Sequence, residues 1–153
     1  HQNNRKLLIS NTVEKLLAEE EEFGIMGGKI YQGFQKQMIA IKYDLLNFLL
    51  EAKKNNHKVA AYGAAAKGNT LLNFCGIRYD LIDFVVDKSP YKRDKYLPGS
   101  HIPIVDESWI KKEKPHYLII LPWNIQTEIA KQLSYINEWN AHLVVSVPRL
   151  TVL

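Results

Sequence analysis

The sequence has a single cysteine, Cys75, in 153 residues. One thiol excludes an internal disulfide and argues for a reducing compartment, which places the chain in the cytoplasm. No Cys/His pairing has zinc-ligand spacing, and the five histidines (His1, His57, His101, His116, His142) are scattered, so no metal site is expected. No apolar run reaches the ~18–20 residues that a membrane span needs. "LIDFVV" and "YLIIL" have the length of buried strands instead. No Arg/Lys cluster with interleaved aromatics is present, which argues against a nucleic-acid partner. The formal net charge of +4 is a mild excess that suits a solvated surface and would favour an anionic ligand without demanding one. No nucleophile–base pair and no paired carboxylates stand out, so the residues by themselves specify no reaction. The chain has neither an initiator Met nor a signal peptide, and it begins "HQNNRK" as if continued from something longer.

What is present reads as helices followed by an alternation of strands and helices. "SNTVEKLLAEEEEFG" is a helix that Asn11 can cap, with Glu14 reaching back and Gly24 as its stop. After a break at "IMGG", Ile30, Phe34, Met38, Ile41, Leu45, Phe48 and Ala52 recur at intervals of three and four. That spacing predicts a long amphipathic helix ending near "KKNNH", its stripe facing a core or a domain interface. Residues 1–57 are therefore expected to be N-terminal helices packing on a domain over 58–153. In that domain "KVAAYG", "LIDFVVD", "HYLIILPW" and "AHLVVSVP" read as strands, with "IPIV" as a short one. "NTLLNFCGI", "DESWIKKEK" and "IQTEIAKQLSYINEW" read as helices, and "KSPYKRDKYLPGSHIPI" begins as loop. Apolar strands alternating with helices imply a mostly parallel five-stranded sheet covered on both faces. The fold class is α/β, a Rossmann-like three-layer sandwich with strand order 3-2-1-4-5.

The stretch "VAAYGAAAKGNTLLNF" is a strand, a small-residue turn and a helix. Gly63 follows the first strand at the switch point, where ligands collect in such sheets. Ala64, Ala65 and Ala66 leave the backbone approachable, and Gly68 opens a helix whose N–H groups and dipole favour phosphate. Lys67 adds a charge. The turn lacks the Lys after the second Gly of a P-loop, since Asn69 stands there, and the second Gly of a dinucleotide fingerprint, since Ala65 stands there. Gly68 matches the third fingerprint glycine, and Asp87 ends the second strand where a ribose-binding acid belongs. An S-adenosylmethionine loop usually has an acid two residues before the first Gly; here it is Ala61. Asp87, Tyr91 and Lys92 after the second strand, and Trp123 and Asn124 after the fourth, are expected at the same edge of the sheet. Trp123 can stack on a base or sugar, and Asn124 can read a hydroxyl or cap the next helix. His101 is an acid–base candidate or a loop anchor. Cys75, among Leu72, Phe74 and Ile77, reads as a buried, unreactive thiol.

"YGAAAKGNTLLNFCGI", "FVVDKSPYKRDKYLPGSHIPI" and "LIILPWN" together resemble the C-terminal domain of S-adenosylmethionine-dependent sugar C-methyltransferases, which act on nucleotide-linked deoxysugars. The motifs cover roughly residues 58–135, and the helical stretch before them is similar to the segment joining that family's middle and last domains. The resemblance implies a full-length enzyme with an N-terminal zinc domain, a middle domain that binds S-adenosylmethionine and holds the catalytic base, and this last domain. The last domain would bind no cofactor itself and would share a sugar nucleotide with the middle one. It implies a base removing a proton beside a keto group and the enolate attacking the donor methyl. This chain would be a piece of that enzyme, inactive alone, with Gly63–Asn69, Asp87, Tyr91, Lys92, Trp123 and Asn124 lining the substrate. Two other readings remain open on the residues. One is an NAD(P)-type dinucleotide-binding domain of an oxidoreductase, from Gly63, Gly68 and Asp87. The other is a non-catalytic interaction module docking through the 30–55 helix.

Overall fold

The structure is a computed structural model that describes residues 11–153. It has two compact units dividing between Met38 and Ile39, inside a helix rather than at residue 57. The first unit contains α1 (Asn11–Phe23) and the start of α2 (Gly28–Lys54). α1 starts on Asn11 itself, so the position before it, Ser10, lies outside the described residues. Gly24 closes α1 at φ +79° with its N–H on Glu21 O at 2.9 Å, as the stop signal predicts. α1 buries none of its residues.

The second unit is built on a seven-stranded sheet. Its strands are β1 (Val59–Tyr62), β2 (Val85–Val86), β3 (Lys95–Tyr96), β4 (Pro103–Val105), β5 (Tyr117–Ile120), β6 (His142–Val145) and β7 (Thr151–Val152). Their order is β3-β4-β2-β1-β5-β6-β7. The five central strands are parallel and reproduce the expected 3-2-1-4-5 order, while β3 and β7 add antiparallel edges. The helices are α3 (Ala66–Cys75), α4 (Ser108–Glu113) and α5 (Gln126–Gln132).

Alternation along the strands sorts the core into two faces. Ala60, Tyr62, Val86, Leu118 and Ile120 face a cluster with Ile110 of α4, and Ile129 of α5. Val59, Ala61, Val85, Ile119 and Val144 point the other way and are fully buried. α3 and the second half of α2 supply that side, through Leu71, Leu72, Leu45 and Leu49. Lys42 Nζ ties the two helices at 3.1 Å to Phe74 O. Ile41, Leu45, Leu49 and Ala52 are thus core within this unit, and that part of the 30–55 helix is not a free docking face.

Two expected elements are shorter than their patterns. "LIDFVVD" contributes only Val85–Val86 as strand. Leu81 and Ile82 N–H turn back to Arg78 O at 3.0 and 3.1 Å, so the stretch starts as a turn; Asp83 N–H then reaches Val59 O at 2.9 Å and its carboxylate takes Val59 N–H at 3.0 Å and Lys53 Nζ at 2.9 Å. "IQTEIAKQLSYINEW" is α5 followed by a 3₁₀ segment, Ser134–Trp139. Ser, Tyr, Ile and Asn in succession favour the α-helix weakly, and Trp139 Nε1 is held by Pro115 O at 3.1 Å. Among the described residues no helix is long and apolar enough to cross a membrane.

Candidate functional site

β1 and β5 are neighbours whose chain continuations serve opposite halves of the sheet, so the turn after β1 sits at the switch point. Gly63 makes the turn at φ +88° and donates to Val86 O at 2.7 Å. Ala65 N–H folds back on Gly63 O at 2.7 Å, and α3 starts at Ala66, three residues earlier than the apolar pattern shows. Gly76, at φ +75°, ends α3 with Schellman-type bonds to Asn73 O and Leu72 O.

On the side where a side chain would stand, neither glycine leaves free space. A Cβ at Gly63 would lie 2.7 Å from Pro122 Cδ, and a Cβ at Gly68 would lie 2.5 Å from Leu121 Cβ. Both bare backbones are filled by the turn after β5. Gly68, expected to open the helix and line the substrate, is instead the third residue of α3, buried, and its missing side chain lets the helix close on the end of β5. That is the packing duty of a third fingerprint glycine. The side of the turn left accessible is narrower, with Ala65, Lys67 and Asn69 half-buried and Ala66 exposed.

Asp87 is also occupied. Only 8% exposed, it accepts Ala64 N–H at 2.8 Å and Lys92 Nζ at 3.0 Å on Oδ2, and Ser89 N–H at 2.8 Å on Oδ1. Lys92 Nζ adds a bond to Ala64 O at 2.9 Å. A carboxylate with three N–H donors has little capacity left for a ribose hydroxyl. Asp87 and Lys92 hold Ala64 by both its backbone groups and fix the turn. Tyr91, 83% exposed, projects from the loop beside them.

Lys67, Trp123 and Asn124 come together across the switch point. Lys67 Nζ donates to Asn124 Oδ1 and lies 5.0 Å from the Trp123 ring centroid. Trp123 opens a 3₁₀ turn, Trp123–Ile125, and packs on the core. α5 has no side-chain cap, so Asn124 does not act as one. His101 falls elsewhere. It stands two residues before β4, next to the start of a parallel strand, so it lies at the opposite edge of the sheet. Its neighbour Gly99 packs on Asn73, near the end of α3, and α3 is ten residues, about 15 Å, long. His101 stands at φ +56° as part of a loop and takes no part in a site at the C-terminal edge.

A second polar node at this edge carried no motif. Gln132 Nε2 donates to Tyr62 Oη at 2.6 Å and to Glu107 at 3.3 Å, while Lys88 Nζ donates to Gln132 Oε1 at 2.7 Å. Burial pushes the Tyr62 phenol up; the bond from Gln132 works against this, and the charges of Glu107 and Asp87 add to it. Tyr135 is pushed up to about 12, first by burial and then by Glu107 and Tyr62. The only sequence signal for this node was a tyrosine ending an otherwise aliphatic strand. Arg93 pairs with Asp106 at 2.9 Å close by. Cys75 is buried, and burial pushes its thiol up.

Among the described residues no group of three His, Cys, Asp or Glu side chains is arranged to hold a metal ion.

The chain is 30% identical over 141 residues to the C-methyltransferase NovU of Streptomyces niveus, covering 92% of this chain and 34% of that protein. The chain thus spans about a third of the length of that curated relative. Among solved structures it is similar to the UDP-D-quinovosamine 4-dehydrogenase of Vibrio fischeri, with a TM-score of 0.46, 16% identity, and coverage of 63% of this chain and 93% of that one. The family described as C-methyltransferase C-terminal domain matches residues 1–148. The chain belongs to the C-methyltransferase C-terminal domain family.

Proposed function

We propose that this domain recognises the nucleotide-linked sugar in an S-adenosylmethionine-dependent C-methyltransferase, and that the chain by itself transfers no methyl group. Family membership supports the methyltransferase context. The observation that carries the recognition role is the meeting of Lys67, Trp123 and Asn124 at the switch point, beside the accessible side of the Ala65–Asn69 turn. A half-buried cation beside the exposed Ala66 and the half-buried Ala65 at that edge suits a diphosphate and its attached sugar. Methyl donor, zinc and catalytic base would be held by parts of the enzyme that this chain does not supply, and S-adenosylmethionine, when bound there, provides the electrophilic methyl group.

The reading is tested by isothermal calorimetry of the 153-residue chain with a thymidine diphosphate sugar and with NAD. Saturable heat with the sugar nucleotide and none with NAD is expected. Binding of NAD alone would favour an oxidoreductase domain and overturn the proposal. In a radiolabelled donor assay with the same sugar nucleotide, no methyl incorporation by the chain is expected; turnover would sink the claim that it is inactive alone.

A further inference from the structure

We infer that Trp123 and Asn124 are positioning residues for Lys67 rather than contacts for a nucleobase, so that this edge of the domain reads charge and not base identity. The inference rests on the reading above, that the turn meets a sugar nucleotide.

The indole of Trp123 is committed on two sides. It packs against the core cluster, and its ring carries the Lys67 ammonium 5.0 Å from the centroid. The neighbouring amide accepts from the same ammonium through Asn124 Oδ1. A base stacking on that indole would have to displace Lys67, losing a cation–π contact and a charge-assisted hydrogen bond to gain one stacking contact. The exchange has no clear driving force. An anion meeting Lys67 where it stands loses neither.

Of the other cations at this edge, Lys88 donates to Gln132 Oε1 at 2.7 Å, away from the Ala65–Asn69 turn, and the two that follow it in the loop are paired with carboxylates. Lys92 is neutralised by Asp87 at 3.0 Å, and Arg93 by Asp106 at 2.9 Å. Among the described residues Lys67 is held by a neutral amide and a neutral ring and pairs with no carboxylate, and an ammonium has three donors, of which Asn124 takes one. The turn after β5 is itself fixed, because Pro122 fills the space at Gly63. The side chain that meets the ligand is thereby aimed by residues anchored to the sheet.

Two measurements on the chain test this. Without ligand, the ε-methylene protons of Lys67 should be shifted upfield by the indole ring current in NMR. Trp123→Leu should return them to an ordinary position, while Trp123→Phe should keep part of the shift. An ordinary shift in the wild-type chain overturns the positioning role. With ligand, calorimetry should give thymidine, uridine and guanosine diphosphates affinities within about threefold of one another, and Lys67→Met should lower all three by about tenfold, the scale of one charged hydrogen bond. Asn124→Ala, at an exposed position, should act in the same direction without disturbing the core. A strong preference for one base that Trp123→Leu abolishes would overturn the inference while leaving the sugar-nucleotide reading intact. So would undiminished binding by Lys67→Met. If no diphosphate and no nucleotide sugar binds the wild-type chain, both fall together.

Discussion

Gly68→Ala separates the two roles that a glycine in this turn can have, by the sign of its effect. In an unobstructed helix interior the change stabilises by about 1 kcal/mol. Here the new Cβ would lie 2.5 Å from Leu121 Cβ, 3.1 Å from Cγ and 3.2 Å from Cδ1. The first of these is roughly 1–1.5 Å inside a favourable carbon–carbon separation. Leu121 is buried, and its Cβ moves only with the backbone at the end of β5, so rotamer change gives no relief. α3 and β5 must part by about an ångström, at the upper end of the ~1–3 kcal/mol that overpacking costs. Subtracting the helix-propensity gain leaves a net loss of about 2 kcal/mol. Urea unfolding followed by far-ultraviolet circular dichroism measures it as a lower midpoint at unchanged slope, and thermal melting should fall by roughly 4–8 °C for a chain of this size. Gly68→Val, with two further methyl groups in the same space, should lose more. A Gly68→Ala protein as stable as the wild type or more so, with weakened ligand binding, would refute the packing role and restore a ligand at this glycine.

Asp87→Ala should destabilise by about 2–4 kcal/mol, because it strands the Ala64 N–H and leaves the Lys92 ammonium without its counter-charge; a change below about 0.5 kcal/mol in denaturant unfolding would show that the turn holds itself. Ser108 N–H on Asp106 and Lys58 on Glu113 hold both carboxyls below their usual values. Their stabilising effect is therefore complete above the ordinary carboxylate range of ~4 and is lost as pH falls through their folded values. Asp106→Asn and Glu113→Gln should each flatten the acid limb of a stability–pH profile, and profiles parallel to wild type would contradict those contacts. Tyr135, pushed up to about 12, has the opposite sign: its contribution is full below the usual tyrosine value of ~10 and is lost as pH rises towards 12. Tyr135→Phe should therefore remove part of the alkaline decline, and spectrophotometric titration should lose its latest-ionising phenol.

Legibility followed how much of each feature is written in local pattern. The apolar stripe of α2, the strands β1, β5 and β6, and the glycine stop of α3 all rest on periodicity or a single backbone requirement. β3 and β7 are two residues each and exist only as antiparallel partners of β4 and β6, so no period announces them. β2 is shorter than its apolar run because Leu81 and Ile82 close a turn on Arg78 O, a use of apolar residues that no strand period reveals. The site divided in the same manner. The turn, Asp87, Lys92, Trp123 and Asn124 do collect at one edge of the sheet, as parallel topology demands. Their duties differ from what residue types imply, because Asp87 and Lys92 bind the loop and each other. The Tyr62–Gln132–Lys88 node joins three elements and has no local trace.

By itself, the order of apolar runs, small-residue turns and amphipathic stretches determined a parallel sheet with helices on both faces and the position of its switch point. Those follow from the period of the side chains and from the handedness of crossovers, which are properties of the chain. Only the tertiary structure decided what occupies the turn. Whether a glycine's missing side chain leaves a space or is filled depends on atoms more than fifty residues away, here Leu121 and Pro122. Whether a charge is available depends on which partner reaches it first, and close packing settles both.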